Sequence, residues 1–242
     1  MRLNELFYIT LGSASFATLV LWPKIQRYLE YRFLKFNEHG RDSILFGRKS
    51  KLFSDFDSLP TNSNGQRIIL ELGIGAGANL FSFPTSRKYF LIASDLHSYG
   101  RDSIQRKCTE LGINFLSYLV LSADDLHDIE SETLSGVVAT LLLCSVPNVD
   151  KALIEIKRVL VPGGKYYFLD HVKEESNSVI RNLLQFLSWP FLIFFCGCNN
   201  RRDIKTNIEK AGFTFVTLET FLISKKLSYS PAASHIMGVA IK

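Results

Sequence analysis

The sequence predicts an α/β fold in which a seven-stranded, mostly parallel sheet carries helices on both faces. Short apolar runs alternate with helical patterns between residues 68 and 171, as is typical of parallel strands joined by crossover helices. The last two apolar runs, 213–221 and 235–241, have no long helical pattern between them and are expected to form an antiparallel C-terminal hairpin. An uncharged stretch at 6–23 adds a candidate N-terminal membrane-anchor helix.

The composition is that of a folded domain rather than a disordered chain or a polytopic membrane protein. Of the 242 residues, 47% are hydrophobic and 21% are charged, whereas disordered chains contain far fewer apolar residues. The formal net charge of +5 is too small to indicate nucleic-acid binding, but it suits a position beside an anionic membrane. The four cysteines form no CxxC pair, so their spacing indicates neither a disulfide framework nor a metal site.

The uncharged stretch is interpreted as the main part of a hydrophobic membrane anchor, residues 1–24. It is slightly shorter than the ~20 apolar residues of a spanning helix, and a cleaved signal peptide or a buried core helix remains an alternative. More basic residues follow the stretch than precede it, which by the positive-inside rule keeps the following chain in the cytosol. Residues 25–59 are interpreted as an amphipathic juxtamembrane helix and a linker, although a helix packed on the domain fits equally well.

The main domain is expected to span residues 60–242. Its predicted strands are short apolar runs, and its clearest helix repeats apolar residues at three- and four-residue steps from Val149. The Pro-Gly-Gly segment at 162–164 ends that helix. Before the C-terminal hairpin, the predicted strands are 68–72, 89–95, 114–121, 135–143 and 165–171, and the predicted helices are 98–111 and 148–161.

A glycine-rich loop follows the first predicted strand, and an acid ends the second. Gly73, Gly75 and Gly77 permit positive φ and a close approach of a ligand, and a helix expected after them would present free N–H groups. Asp95 stands where a carboxylate can accept hydrogen bonds from both hydroxyls of a ribose. Because ligands bind beyond the carboxyl ends of parallel strands, this order predicts a nucleoside-containing cofactor.

Two cofactors use such a loop. The spacing of Gly73, Gly75 and Ala78 satisfies a GxGxxA dinucleotide fingerprint, so a nicotinamide oxidoreductase is one candidate. Glu71, just before the loop, favours S-adenosylmethionine (SAM) instead. An acid there would repel a pyrophosphate but can bind the ammonium group of the methionine part.

The sequence resembles a known family at these motifs. ELGIGAGAN at 71–79, Asp95 and RVLVPGG at 158–164 are similar to the motifs of SAM-dependent methyltransferases with the seven-stranded Rossmann-like fold, and this resemblance covers about residues 60–242. Four further segments are similar to a narrower family, the membrane-associated methyltransferase-like enzymes that methylate alkyl thiols. These segments are TLLLCSV at 140–146, YYFLDHV at 166–172, Cys-Gly-Cys-Asn at 196–199 and HIMGVAIK at 235–242.

The chain departs from the usual family pattern at four positions. Ile74 and Ala76 stand where the family usually has Cys and Thr in the glycine loop, and Leu96 stands where it has Pro. Asp170 replaces the usual Glu at the strand end. These changes could reshape cofactor contacts, but they leave the three glycines and the ribose acid in place.

The resemblance implies a role for each candidate cofactor residue. Glu71, Gly73, Gly75 and Gly77 would surround the methionine part of SAM. Asp95 would hold the ribose hydroxyls. The remaining implied contacts are Leu96 on the adenine ring, Asp124 at the adenine amino group, and Thr140 and Leu141 beside the sulfonium. Asp124 as a helix N-terminal acid, and Leu96 and Leu141 as core residues, are equally compatible with the sequence.

The expected chemistry is an in-line displacement, in which alignment of the reactants can lower the barrier by ~7–11 kcal/mol and no metal is required. A thiol acceptor reacts as its thiolate, so a nearby base would help. His171, at the end of the fifth predicted strand, is the candidate base, unless it orients a loop or pairs with Asp170. Cys144, at the end of the fourth, is interpreted as a pocket wall rather than a nucleophile.

Residues 182–200 are uncharged and rich in aromatic side chains. Pro190 argues against one straight spanning helix. The stretch is interpreted as an apolar lid or an interfacial wedge that admits lipophilic substrates from a membrane, with a core helix as the alternative.

The resulting expectation is a membrane-associated SAM-dependent methyltransferase of small lipophilic thiols. Its expected location is the endoplasmic reticulum membrane or the lipid-droplet surface, with the catalytic domain facing the cytosol. Alternatives are O- or C-methylation of a quinone or lipid, a catalytically silent surface protein of the same organelles, and a nicotinamide oxidoreductase.

Overall fold

The computed structural model describes Tyr28 and residues 38–86, 88–224 and 228–242. The predicted anchor lies outside these residues, as does most of the predicted juxtamembrane helix. The helices are α1 (Glu38–Leu52), α2 (Arg101–Leu111), α3 (Val149–Val159), α4 (Val179–Cys196) and α5 (Ile204–Lys210). The strands are β1 (Ile68–Leu72), β2 (Phe90–Asp95), β3 (Phe115–Val120), β4 (Leu134–Thr140), β5 (Leu160–His171), β6 (Thr214–Leu222) and β7 (Ser234–Ile241).

The strands form one seven-stranded sheet in the order β3-β2-β1-β4-β5-β7-β6. Strands β1 to β5 pair in parallel, whereas β7 pairs antiparallel with both β5 and β6. The predicted mixed sheet and its antiparallel C-terminal strands are therefore confirmed. Strand β5 begins earlier than expected, because the Pro-Gly-Gly segment continues the strand through a register shift instead of separating it from the helix.

Both faces of the sheet are covered by apolar side chains. Residues alternate between the faces along each strand, so that Leu70 and Ile69 of β1 enter different hydrophobic clusters. One cluster contains buried residues of α3 and α5, and the other contains buried residues of α1 and α2. The expected helices on both faces are thus present.

The core begins upstream of residue 60, within the segment interpreted from the sequence as a juxtamembrane helix and linker. Phe53, Phe56 and Leu59 are at most 1% exposed and belong to the same cluster as Ile69 of β1. The ring of Phe56 lies 5.1 Å from that of Tyr167. Asp55 accepts hydrogen bonds from the Tyr167 hydroxyl at 2.6 Å and from Lys165 at 2.5 Å, which fastens the segment to β5.

The prediction of a helix directly after the glycine loop is wrong. A single 3-10 turn, Leu80–Ser82, stands in its place. Phe83 then adopts an extended conformation with ψ 145°, as is favoured for a residue before a proline, here Pro84. The chain then enters β2 at Phe90, and the 3-10 turn is the helical element found among the described residues of this connection.

Replacing Phe56 by alanine should destabilise the domain strongly. The side chain is fully buried among aromatic rings, and Phe→Ala changes at such sites cost about 3–5 kcal/mol. Chemical denaturation should show this loss of stability as a lower denaturant concentration at the midpoint of unfolding. Ile154→Ala is the control, because Ile154 of α3 is 61% exposed and its truncation should cost much less. Equal losses in the two variants would show that the upstream segment is not part of the core.

Candidate active site

A cavity of about 320 Å³ opens at the carboxyl ends of the parallel strands. This is the edge at which open α/β sheets bind ligands. Most candidate residues lie in its wall, whereas Gly77 and Asp124 do not. The wall includes Glu71, Gly73, Gly75, Asp95, Leu96, Thr140, Leu141, Cys144 and His171.

The glycine loop turns sharply beside this cavity. Gly73, Gly75 and Gly77 all have positive φ, between 54° and 83°, where other residues are strained. A Cβ at Gly73 would lie 2.8 Å from Leu142, and one at Gly77 would lie 2.7 Å from Ile104 of α2. Gly77 therefore serves the packing of the loop on α2, whereas Gly73 and Gly75 face the cavity.

Glu71 is a buried carboxylate, 1% exposed, at the end of β1. Asn79 donates hydrogen bonds of 2.8 Å to Glu71 Oε1 and to Thr140 Oγ1, which ties β1 to β4. Burial raises the pKa of Glu71 to about 8, although the bond from Asn79 and the positive charge of Lys49 oppose the shift. Glu71 Oε2 has no hydrogen-bond partner among the described residues, so the carboxylate can accept an ammonium group there.

Asp95 ends β2 next to the glycine loop, where its Oδ2 accepts a hydrogen bond of 3.0 Å from the Gly75 amide. The neighbouring Leu96 is 42% exposed in the cavity wall, so the alternative that it belongs to the core is wrong. Leu141 has φ 54°, a conformation that strains a residue other than glycine and that clusters at functional sites. Its amide donates to the Leu169 carbonyl at 2.6 Å, which holds the strained residue at the ends of β4 and β5.

Asp124 sits in a turn rather than at the start of a helix, so the alternative of a helix N-terminal acid is wrong. Its carboxylate accepts a hydrogen bond from the Ser122 hydroxyl. Ser122 and Ala123 line the cavity in its place.

Another part of the cavity wall holds two thiols and an imidazole in contact. His171 Nδ1 lies 3.3 Å from Cys198 Sγ and 3.8 Å from Cys144 Sγ. All three side chains are buried, with exposures of 1% for Cys144, 6% for Cys198 and 9% for His171. Contact with Cys198 and burial raise the pKa of the Cys144 thiol well above its usual value. We call these three residues the Cys-His-Cys cluster.

The sequence spacing had indicated no such ligand cluster. His171 stands 27 residues from each cysteine, so no short ligand motif marks the group. The loop after α4 brings Cys198 into place, where the Asn199 amide donates to the Cys144 carbonyl at 2.7 Å. Sequence reasoning also missed Asn79 and the buried Lys49, which line the cavity near Glu71.

The neighbours of His171 differ from those weighed in the sequence. Asp170 is fully buried, and its Oδ1 accepts a hydrogen bond of 3.1 Å from the Cys144 amide rather than from the imidazole of His171. The ring of His235, on β7, lies 4.7 Å from that of His171. The His235 ring also stacks on that of Phe221, with the ring centroids 5.5 Å apart.

Comparison with known proteins assigns the family. A family model described as "Methyltransferase domain" matches residues 70–168. Thiol S-methyltransferase TMT1A of Homo sapiens is 29% identical over 225 residues, which cover 93% of this chain and 90% of that protein. Thiol S-methyltransferase TMT1B of Rattus norvegicus is 30% identical over 195 residues, 81% of this chain and 78% of that protein. The chain belongs to this thiol S-methyltransferase family.

The fold alone would not have decided the reaction. The [4+2]-cyclase SpnF has a TM-score of 0.60 to this chain at 16% identity, covering 81% of this chain and 80% of that one. A cyclase on the same fold shows that the chemistry depends on the site. Membership of the thiol S-methyltransferase family makes the protein a SAM-dependent methyltransferase, so the nicotinamide alternative is wrong.

The residues present fit SAM. The methionine ammonium group matches the unpaired oxygen of Glu71, and the ribose hydroxyls match Asp95. SAM supplies the methyl group as an activated sulfonium. The protein binds, orients and shields it.

We expect SAM affinity to rise with pH between about pH 6 and 7.5, where the α-amino group of SAM is still mostly protonated. The raised pKa of Glu71, about 8, means that the free carboxyl group is mostly protonated in this range. The carboxyl group must lose its proton to pair with the ammonium group. When binding releases one proton, the affinity for SAM rises by up to about tenfold per pH unit. Isothermal titration calorimetry at several pH values measures this slope.

Glu71→Gln is the matched variant for this titration. It keeps an oxygen for Asn79 but cannot ionise, so its affinity should be weaker by about 10–100-fold at pH 7.5 and should not vary with pH. A wild-type affinity without pH dependence, or an unchanged slope in the variant, would show that Glu71 does not bind the ammonium group.

Proposed function

We propose that this methyltransferase transfers the methyl group of SAM to the sulfur of small lipophilic thiols at a membrane surface. The observation that carries the proposal is one cavity with two chemically different walls. Glu71 and Asp95 form a polar wall suited to SAM, and the Cys-His-Cys cluster forms a buried wall of sulfur and imidazole suited to a thiol. The names of the two relatives support the same acceptor.

The reaction needs alignment and a deprotonated acceptor. The acceptor sulfur forms a bond to the methyl carbon while the bond from that carbon to the sulfonium sulfur breaks, and the thiol proton leaves. Holding both reactants in line can supply ~7–11 kcal/mol of barrier lowering. His171 remains the candidate acceptor of the proton, because its imidazole reaches the cavity while it touches both cysteines.

Helix α4 supports a lipophilic acceptor that arrives from a membrane. Its polar side chain Gln185 is 4% exposed and bonds to the Glu174 amide and to the Val172 and Asn200 carbonyls, each at 2.9 Å. Most of its large apolar side chains instead point outward, the reverse of a helix in a soluble protein. The exposed residues are Val179, Ile180, Leu183, Phe186, Leu187, Phe191, Ile193 and Phe194.

We infer that α4 lies in the interfacial region of a membrane. Among the described residues, no helix is long and apolar enough to cross a bilayer. An outward apolar face is the feature by which interfacial helices bind. Leu192 of the same helix lines the cavity, so an acceptor dissolved in the lipid would have a short path to the site. The proposed location remains the endoplasmic reticulum membrane or the lipid-droplet surface, with the catalytic domain on the cytosolic side.

The thiol proposal is tested by methylation of a simple alkyl thiol with labelled SAM and the detergent-solubilised full chain. We expect turnover by the wild type and a loss of about 10–100-fold in SAM affinity in Asp95→Ala, which removes the hydrogen bonds to the ribose. Asp102→Ala, in the first turn of α2 and outside the cavity wall, should bind SAM normally.

The pattern of acceptors decides between the candidate functions. If labelled phenol or quinone products form and no thioether forms, the methyl acceptor is an oxygen or carbon atom rather than a thiol sulfur. SAM binding that needs Asp95, without transfer to any of these acceptors, would contradict the thiol proposal while leaving the cofactor site intact.

The membrane proposal is tested by the depth of a single tryptophan. The chain has two tryptophans, Trp22 and Trp189, and both are first replaced by phenylalanine. Phe191→Trp then reports on the exposed face of α4, and Ile154→Trp on the exposed face of α3 is the matched control. Brominated lipids should quench the fluorescence of the tryptophan at position 191 and not that of the tryptophan at position 154. Equal quenching, or none at either position, would contradict the interfacial placement of α4.

A further inference from the structure

We propose that Cys144, His171 and Cys198 are three ligands of a thiophilic divalent cation such as Zn²⁺, with a fourth position open to the cavity. The role assigned to that fourth position, binding of the acceptor sulfur, rests on the proposed thiol methylation. The site itself depends only on the placement of the three side chains.

The separations of the ligand atoms match a tetrahedral ion. Two of them are 3.3 Å and 3.8 Å, between His171 Nδ1 and the two sulfurs, and the three ligand atoms all lie within 4.8 Å of one another. A tetrahedral Zn²⁺ at ordinary bond lengths separates a thiolate sulfur from an imidazole nitrogen by about 3.6 Å. Both nitrogen–sulfur separations therefore lie within a few tenths of an ångström of the value expected around the ion.

The donor set selects the kind of metal. Two thiolates and one imidazole are ligands for Zn²⁺ and similar soft or borderline ions, and they are poor ligands for Mg²⁺ or Ca²⁺. Structural zinc sites have four protein ligands, whereas catalytic sites have three and keep one position for water or substrate. The three ligands found among the described residues match the second kind.

The backbone around the cluster is held in place by hydrogen bonds. Gly197 ends α4 with φ 67°, which turns the chain so that Cys198 reaches β4 and β5. The Asn199 amide binds the Cys144 carbonyl at 2.7 Å, and the buried Asp170 binds the Cys144 amide at 3.1 Å. Such outer contacts orient the ligands of metal sites and tune their affinity.

The proposed open position lies in the same cavity as the SAM site. All three ligands line the cavity that also contains Glu71 and Asp95. A thiol that enters the fourth position loses its proton to solvent, because a coordinating thiol is deprotonated by the metal. The sulfur then takes the methyl group, and the electron pair of the broken bond stays on the sulfur of the cofactor product. The neutral thioether is a weak ligand and leaves. His171 is therefore a ligand when the metal is bound, and the role of proton acceptor given above applies to the site without metal.

Metal binding is measured first without any enzymatic readout. The full chain, stripped of metal and kept reduced, is titrated with Zn²⁺ for stoichiometry and with Co²⁺ for the thiolate-to-metal charge-transfer band. We expect one ion per chain in the wild type and in Cys108→Ala, which removes a buried cysteine of α2 outside the cavity wall. Cys198→Ser and His171→Asn should each weaken binding by at least about 10–100-fold.

In the reduced protein, three results would overturn the metal site. They are no metal above background in the reduced wild type, unchanged metal affinity in both ligand variants, and Cys108→Ala losing the metal as well. A disulfide between Cys144 and Cys198, found by mass spectrometry, would overturn it if reduction does not restore metal binding. SAM binding, which needs Glu71 and Asp95, shows that each variant is folded.

Adding an alkyl thiol separates the metal site from the thiol function. We expect the Co²⁺ charge-transfer band to intensify as a third thiolate binds, and thiol methylation to fall on metal removal and return with Zn²⁺. Full thiol methylation by protein verified as metal-free would overturn the role of the metal while the proposed function stands. A protein that binds Zn²⁺ through the three ligands but methylates no thiol would support the site and contradict the proposed function.

Discussion

The parallel pairing of β1, β4 and β5 is the constraint on which the site depends. Its register sets Glu71 beside Val138, and Thr140 beside Leu169, so that the three strands end at one edge of the sheet. Parallel strands present their carboxyl ends together, and this edge is where the connecting loops can enclose a ligand. A shift of one residue in this pairing would turn the side chains at the strand ends to the opposite face and dismantle the cavity.

Two sets of hydrogen bonds hold two parts of the cavity wall in place at this edge of the sheet. Asn79 bridges Glu71 and Thr140 on the cofactor side, and it holds the buried Glu71 carboxyl group where it can pair with a cation once its proton leaves. On the other side, the bond from Asn199 to the Cys144 carbonyl holds the loop after α4 against β4. The same helix exposes most of its large apolar residues and buries Gln185, so the element that leads into the sulfur-rich wall also carries the surface that we propose for lipid.

The sequence predicted what depends on local patterns. The mixed sheet with its antiparallel C-terminal strands, the glycine turn and the acid at Asp95 follow from periodicity and from residues close together in the chain. The helix after the glycine loop was predicted wrongly, because the effect of Pro84 on a short connection outweighed the expected pattern. The packing of Phe56 and the meeting of Cys198 with His171 depend on contacts between distant segments, which spacing does not reveal.

The central claim is that one cavity holds SAM on its polar wall and the acceptor sulfur on the Cys-His-Cys cluster. A crystal structure of the full chain with S-adenosylhomocysteine and an alkyl thiol tests it most directly. We predict the ammonium group at Glu71, the ribose at Asp95, and the thiol sulfur against the cluster. A thiol sulfur bound outside this cavity, or a cofactor whose ammonium group lies away from Glu71, would contradict the account.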